Sequence, residues 1–180
     1  METPILKKVL ILAGDGIGPE IMAQTRRVVE WFAAHRGIRM ELQEELFGIS
    51  AWKAHHHLMR DETWRAVTQS DAILFGATGS PEYEKIPLEH RQFDQLLRMR
   101  KELDLFINLR PVKALKALED ASTLRPEVLE NTDMVLVREL SSGVYFGTPR
   151  GIETLPGGGR RVVNSMVYTD AEVERIARAA

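Results

Sequence analysis

Cysteine is absent from the 180 residues, which excludes disulfides and thiolate metal sites and fits a reducing compartment. Long apolar runs are missing too. The longest near the N-terminus is Val9 to Ala13, far short of a bilayer span and without the flanks of a signal peptide. Neither sign of charge dominates: Lys+Arg 24 against Asp+Glu 26 leaves a formal net charge of −2. No basic field favours nucleic acid or an anionic membrane, so neither is expected as a partner, and any anion binding must be local. There is also no internal repeat, low-complexity linker or long charge block. What remains is a chain that is 44% hydrophobic, enough for one domain or one and a part, with the cytoplasm as its expected location.

The densest signal is the run from Lys8 to Glu20, in which Val9-Leu10-Ile11-Leu12 is followed by Gly14-Asp15-Gly16-Ile17-Gly18-Pro19. A short run rich in branched residues reads as a strand covered on both faces, and the amphipathic segment behind it points to a parallel sheet with helical crossovers. Pro19 suits a first helical turn. Three glycines at alternate positions let the backbone come close to a ligand, although Pro19 stands where a G-x-G-x-x-G fingerprint needs glycine. The fold class expected is α/β, mainly a parallel sheet with flanking helices and a β arm.

The spacing predicts a helix from about Pro19 to His35 with Ile21, Val28, Val29 and Phe32 on its apolar side, ending at Gly37. A strand follows over Ile38 to Leu42, then helices over Ala51 to Met59 and Asp61 to Thr68. Ala72 to Phe75 forms another strand that opens into a loop, Gly76-Ala77-Thr78-Gly79-Ser80-Pro81. A helix from about His90 to Leu103 carries Phe93, Leu96, Leu97 and Leu103 as a stripe. Strands at Leu105 to Leu109 and Met134 to Val137 share the apolar character, and ligands in open α/β sheets lie beyond the carboxyl ends of strands, so these corners are expected to converge. Val144 to Phe146 and Val162 to Tyr168, with Pro156-Gly157-Gly158-Gly159 between them, read as a protruding arm over residues 144–168. Thr169-Asp170-Ala171-Glu172 is a capping box, and the stripe Val173, Ile176, Ala177 and Ala180 meets no C-cap signal, so the last helix reads as cut.

Arg100 falls at the i+7 place of the stripe that contains Phe93, and a guanidinium there faces inward, where it needs a carboxylate from the protein or from a ligand. Arg110 and Arg138 sit at the carboxyl ends of two apolar strands. Three arginines meeting at one crevice would clamp a small polycarboxylate; the alternative is that each pairs with a neighbouring acid such as Glu139. Tyr145, from composition alone, is an aromatic filling a strand face. His55-His56-His57 on a helix would point in three directions and so reads as a solvated face rather than a metal tract. Met22, Met59, Met99 and Met134 read as core fillers.

GDGIGPE after a hydrophobic strand resembles the opening of the β-decarboxylating dehydrogenases, the family of isopropylmalate, isocitrate, homoisocitrate and tartrate/D-malate dehydrogenases. GATGSPEYEKIP, LLRMRKELDLFINLRPVKAL, DMVLVRELSSGVYFGTPRG and VNSMVYTDAEVERIARAA follow in the family's order and with nearly its spacing. The wording is most similar to the N-terminal half of the isopropylmalate branch. By that resemblance, Arg100, Arg110 and Arg138 hold the malate part of a 2-hydroxy polycarboxylate, Tyr145 is the catalytic tyrosine, and Leu96 lies where the γ-isopropyl group binds and isocitrate enzymes place polar groups. Ile17, Gly76, Ala77, Thr78, Gly79 and Glu84 would belong to the NAD site. Two departures stand out: Phe93, with Asp94 beside it, replaces a glutamate that approaches the nicotinamide, and Ser141-Ser142 replaces a Thr-Gly pair.

The resemblance further implies residues 1–104 as the N-terminal part of a first domain and residues 105–180 as the start of a second, with the arm joining a homodimer. The family's C-terminal half, absent here, supplies a catalytic lysine, the aspartates for Mg2+ or Mn2+ and most of the adenosine loop. The implied reaction is NAD-dependent oxidation and decarboxylation of 3-isopropylmalate to 2-oxoisocaproate in leucine biosynthesis, by an assembly of this chain with a complementary C-terminal half. Alternatives are a tartrate/D-malate dehydrogenase of the same family and a non-catalytic remnant that binds polycarboxylates. A Rossmann-type nucleotide binder, with Glu41 on a ribose, rests on the glycines alone.

Overall fold

The computed structural model describes residues 6–91 and 95–180, so the expectations for Phe93 and Asp94 lie outside the described residues. The chain divides into two compact units, Met1–Gln95 and Leu96–Ala180.

In the first unit the apolar run forms strand β1 (Lys7–Gly14), with Val9 to Leu12 buried. Helix α1 (Gly18–Arg36) follows, then β2 (Met40–Glu45), α2 (Ile49–His55), α3 (Asp61–Gln69) and β3 (Ala72–Ala77). The sheet is parallel in the order β2-β1-β3. Successive crossovers therefore place β2 and β3 on opposite sides of β1, which makes the carboxyl end of β1 a topological switch point. Burying Leu10, Ile11 and Leu12 stabilises this centre by roughly 1.5–3 kcal/mol for each side chain.

Several local expectations shift. Gly37 ends α1 in the left-handed region at φ 66° as anticipated, but Ile21, Val28 and Phe32 are exposed and Met22 is the apolar side chain of this helix that is buried. Strand β2 starts two residues late, because its register sets Met40 opposite Lys7. Helix α2 stops at His55, since His56 turns left-handed at φ 57°; only the first histidine of the tract is helical. The loop after α2 returns Leu58 to a cluster with Ile49 and Ile86, against which Trp52 and Tyr83 rest.

The glycines of the first corner serve the chain itself. At Gly14, with φ +76°, a Cβ would fall on the Ala77 carbonyl oxygen, and at Gly18 on the Ala13 carbonyl oxygen. Strand β3 and the start of α1 can thus approach β1 at backbone distance.

A 3-10 turn (Pro81–Lys85) and the short helix α4 (Leu88–Arg91) lead to α5 (Gln95–Glu102), whose buried residue is Met99 rather than a member of the leucine stripe. The second unit then holds β4 (Ile107–Lys113), a 3-10 turn (Lys116–Ala121), α6 (Pro126–Leu129) and β5 (Asp133–Glu139). Strands β4 and β5 pair antiparallel. Their carboxyl ends therefore lie at opposite ends of a ribbon and do not converge, which corrects the parallel reading. Arg110 sits in mid-strand, and Met134 is exposed rather than a core filler. Residues 143–145 form a 3-10 turn instead of a strand. An exposed hairpin, β6 (Arg150–Thr154) with β7 (Arg160–Asn164), occupies the arm region, and α7 (Asp170–Ala179) closes the chain with its capping box formed. Among the described residues no helix is long and apolar enough to cross a membrane.

Candidate functional site

Strand periodicity sets the geometry of the arginine site. Asn108 and Arg110 share one face of β4, and the register puts Arg138 directly opposite Asn108, so all three belong to the same face of the ribbon. Arg110 Nε donates to Asn108 Oδ1 at 2.6 Å. Arg138 Nη2 donates to Tyr145 Oη at 3.3 Å, with its guanidinium carbon 5.8 Å from the centre of that ring. Arg150 Nη1 donates to the Tyr145 carbonyl oxygen at 2.7 Å. Tyr145 is 42% exposed and is held at its hydroxyl and its backbone by two guanidinium groups.

The turn that carries Tyr145 is tied down by carboxylates. Glu139, its side chain 9% exposed, accepts from the Ser141 N–H at 2.9 Å, from the Ser142 N–H at 3.0 Å and from the Ser141 hydroxyl. It is thereby committed to the turn, and Arg138 does not take it as a partner. The Ser142 hydroxyl donates to Glu172 on α7, and this bond, with that from the Thr169 N–H, holds the Glu172 carboxyl below its ordinary pKa. Arg175 completes the brace: it pairs with Asp104 at 2.8 Å, donates to Ser141 Oγ at 2.5 Å and lies over the Phe106 ring at 4.5 Å. The two serines that depart from the resembled motif are the residues this brace uses.

Arg100 and Leu96 lie half-buried on α5. The Arg100 carbonyl accepts from the Leu105 N–H at 2.9 Å, which fixes the end of the helix. No ion pair joins Arg100, Arg110 or Arg138 to a carboxylate among the described residues, whereas Arg26, Arg60, Arg65, Arg98, Arg161, Arg175 and Arg178 each have one. Nor does a hydrogen bond among the described residues link Arg100 to Arg110, Arg138 or Tyr145. The register thus sets Arg110 and Arg138 on one ribbon face with Asn108, and a hydrogen bond joins Arg138 to Tyr145.

The second candidate group lies in the first unit. Gly76 and Ala77 are the last residues of β3 rather than loop, and the Asp15 N–H donates to the Ala77 carbonyl oxygen at 2.7 Å. That bond joins the corner holding Ile17 to the one holding Thr78 and Gly79, all three exposed at the switch point. Glu84 stands apart on the 3-10 turn, exposed.

Sequence reasoning missed Asp15, Asn108, Glu139 as the anchor of the turn, and Arg150. The buried Asp15 carboxylate accepts from the Ile49 N–H at 2.7 Å and the Ser50 N–H at 3.3 Å, satisfying the open N-terminus of α2. Asn108 was legible as a polar residue two places from Arg110 on a strand. Among the described residues no group of three His, Asp or Glu is arranged to hold a metal ion. His56 instead meets the Trp52 ring edge-on at 5.8 Å.

Residues 8–180 match the family described as isocitrate/isopropylmalate dehydrogenase. The 3-isopropylmalate dehydrogenases of Gluconobacter oxydans and Paramagnetospirillum magneticum are 51% and 47% identical, over 96% and 97% of this chain and 47% of each relative. The chain spans about half the length of the curated relatives it matches. The solved β-decarboxylating dehydrogenase of Thermococcus kodakarensis aligns with TM-score 0.61 and 29% identity over 96% of this chain and 44% of its own. Isocitrate dehydrogenase from Methylococcus capsulatus aligns with TM-score 0.75 over 96% of this chain and 46% of its own, a likeness of fold at 21% identity. A match that runs unbroken from the first strand to the last helix, with relatives near half identity, makes this chain a member of the isocitrate/isopropylmalate dehydrogenase family.

Proposed function

We propose that this segment supplies the substrate clamp and the proton-donating tyrosine of a 3-isopropylmalate dehydrogenase, which oxidises and decarboxylates 3-isopropylmalate to 2-oxoisocaproate in leucine biosynthesis. The observation that carries the reading is the set of arginines without protein carboxylates, two of them on one ribbon face with the phenol of Tyr145. Guanidinium groups without a protein carboxylate remain available to an external anion, and their fork geometry suits carboxylates. Arg100, Arg110 and Arg138 bind the two carboxylates of the malate part, and Leu96 supports the isopropyl group.

The exposed backbone of Thr78 and Gly79 at the switch point fits a dinucleotide, since a Cβ at Gly79 would meet nothing within 4 Å. A bound NAD would supply the hydride acceptor for the substrate's C2, and the C2 hydroxyl proton would pass to a general base that is not assigned to the described residues. Loss of carbon dioxide from the resulting β-keto acid leaves an enolate, and Tyr145 Oη delivers the proton to its carbon. Arg138, donating to that oxygen, stabilises the phenolate left behind and eases the transfer. Mg2+ or Mn2+, when bound, would polarise the substrate's hydroxyl and keto oxygens. The hairpin β6–β7, with exposed edges and no core, is assigned to the contact between two subunits of a cytoplasmic homodimer.

The test is kcat/KM for 3-isopropylmalate, isocitrate and D-malate, measured on the longer protein that contains this segment. Preference for 3-isopropylmalate is expected, reduced by about tenfold in Leu96→Ser, since a lost apolar contact is worth one to three kcal/mol at most. Comparable efficiency with isocitrate overturns the assignment, and preference for D-malate moves the chain to that branch.

A further inference from the structure

We infer that Asn108 is a positioning residue that aims the Arg110 guanidinium at substrate while leaving its charge uncompensated; this rests on the proposed role of Arg110. The bond is short and direct, Arg110 Nε to Asn108 Oδ1 at 2.6 Å. It takes the Nε–H and leaves the N–H groups of both Nη atoms for a contact with a carboxylate.

What makes the amide informative is where the same protein uses acids instead. At the other end of the β4–β5 ribbon, Lys113 faces Asp133 in register and pairs with it at 2.9 Å. On the β6–β7 hairpin, Arg161 faces Glu153 in register, its Nη2 2.7 Å and its Nε 2.9 Å from the carboxylate. These two cross-strand cations are neutralised by a carboxylate, whereas Arg150 and Arg160 face Asn164 and Thr154. Beside Arg110 and opposite Arg138 stands a neutral acceptor of nearly the same shape as aspartate. An aspartate there would hold Arg110 equally well, but its charge would compete with the substrate carboxylate for both arginines. Asparagine orients without competing.

Asn108→Ala and Asn108→Asp in the longer protein separate this role from a merely structural one, with kcat, KM for 3-isopropylmalate and melting temperature as readouts. Loss of the acceptor in Asn108→Ala is expected to raise KM about tenfold, the worth of one hydrogen bond to a charged group, with kcat within about twofold. Asn108→Asp is expected to be worse in KM, by about a hundredfold, while its melting temperature equals or exceeds that of the unaltered protein. A structural acceptor predicts the reverse order, with Asp tolerated and Ala damaging, and that order overturns the inference, as do two variants of unchanged KM. Arg110→Gln is the control that keeps the two readings apart. If it leaves KM and kcat unchanged, the substrate role of Arg110 itself fails; if it is impaired while both Asn108 variants are normal, only the inference about Asn108 fails.

Discussion

The first unit buries its apolar residues, whereas the second leaves most of its apolar residues exposed; both pair cations with carboxylates, but in the second Arg100, Arg110 and Arg138 have no such partner among the described residues. Of the buried hydrophobic side chains among the described residues, Met99 and Leu140 belong to the second unit and all the others to the first. In the first unit Lys7 pairs with Asp71, Arg26 with Glu44 and Arg60 with Glu45, around a sheet whose central strand is inaccessible. In the second, the turn beside Tyr145 is organised by Glu139, Ser141, Ser142, Glu172 and Arg175, a polar brace rather than an apolar core. With few apolar side chains buried, the order of this turn comes from hydrogen bonds between neighbouring polar groups. The same sequence thus contains one part selected by burial and another by what is left unpaired.

The sharpest way to break that contrast is to remove equal side chains from each part. Leu10→Ala, at a fully buried position, is expected to cost about 4 kcal/mol, whereas Leu109→Ala, at a position 57% exposed, is expected to stay within about 0.5 kcal/mol. Denaturant midpoints of the longer protein measure both, and similar losses would erase the distinction. Asp15→Ala leaves two N–H groups at the start of α2 without their acceptor and is expected to cost about 2 kcal/mol, with amide exchange accelerated at Ile49 and Ser50 first. In the polar brace, Thr169→Ala removes half of a capping box and is expected to cost about 1 kcal/mol, read by exchange of the α7 amides.

The smallest effect is one of pH. Because the folded protein holds the Glu172 carboxyl below its ordinary value, chiefly through the Ser142 hydroxyl, the unfolded chain binds the proton more readily. The contribution is complete above the ordinary carboxylate range and fades as pH falls through the lowered pKa. The protection of the α7 amides, after correction for the pH dependence of intrinsic exchange, should therefore fall in acid, and Glu172→Gln should flatten that dependence. An acid response unaltered by the substitution would remove Glu172 from the brace.

Local signals made much of this legible. The run Val9 to Leu12 foretold a buried parallel strand, Gly37 the end of α1, and Thr169 with Glu172 the start of α7, because each depends on neighbours within a few residues. Where pairing partners decide, the sequence was less informative. Strand β2 begins at Met40 because of its register with β1, and β4 runs antiparallel to β5 because no long crossover helix separates them, only Lys116–Ala121 and Pro126–Leu129. The strand expected at Val144 to Phe146 gives way to a tight turn, since Gly143 takes φ +74° and leaves no room for a Cβ against the Tyr168 hydroxyl. Within the candidate site, Arg110, Arg138 and Tyr145 stood out by residue type. Asn108 and Glu139 did not, because their roles lie in the bonds they make to others across a strand pair or a turn.

The central claim is that Arg100, Arg110 and Arg138 are reserved for an external anion and add little to the fold. Arg138→Gln in the longer protein, assayed for kcat/KM with 3-isopropylmalate and for melting temperature on the same preparation, tests it most directly. The account predicts a loss of about 3 kcal/mol in transition-state binding, more than a hundredfold in kcat/KM, at a melting temperature within a few degrees of the unaltered protein. A collapse of the melting temperature with activity per folded molecule preserved would contradict it.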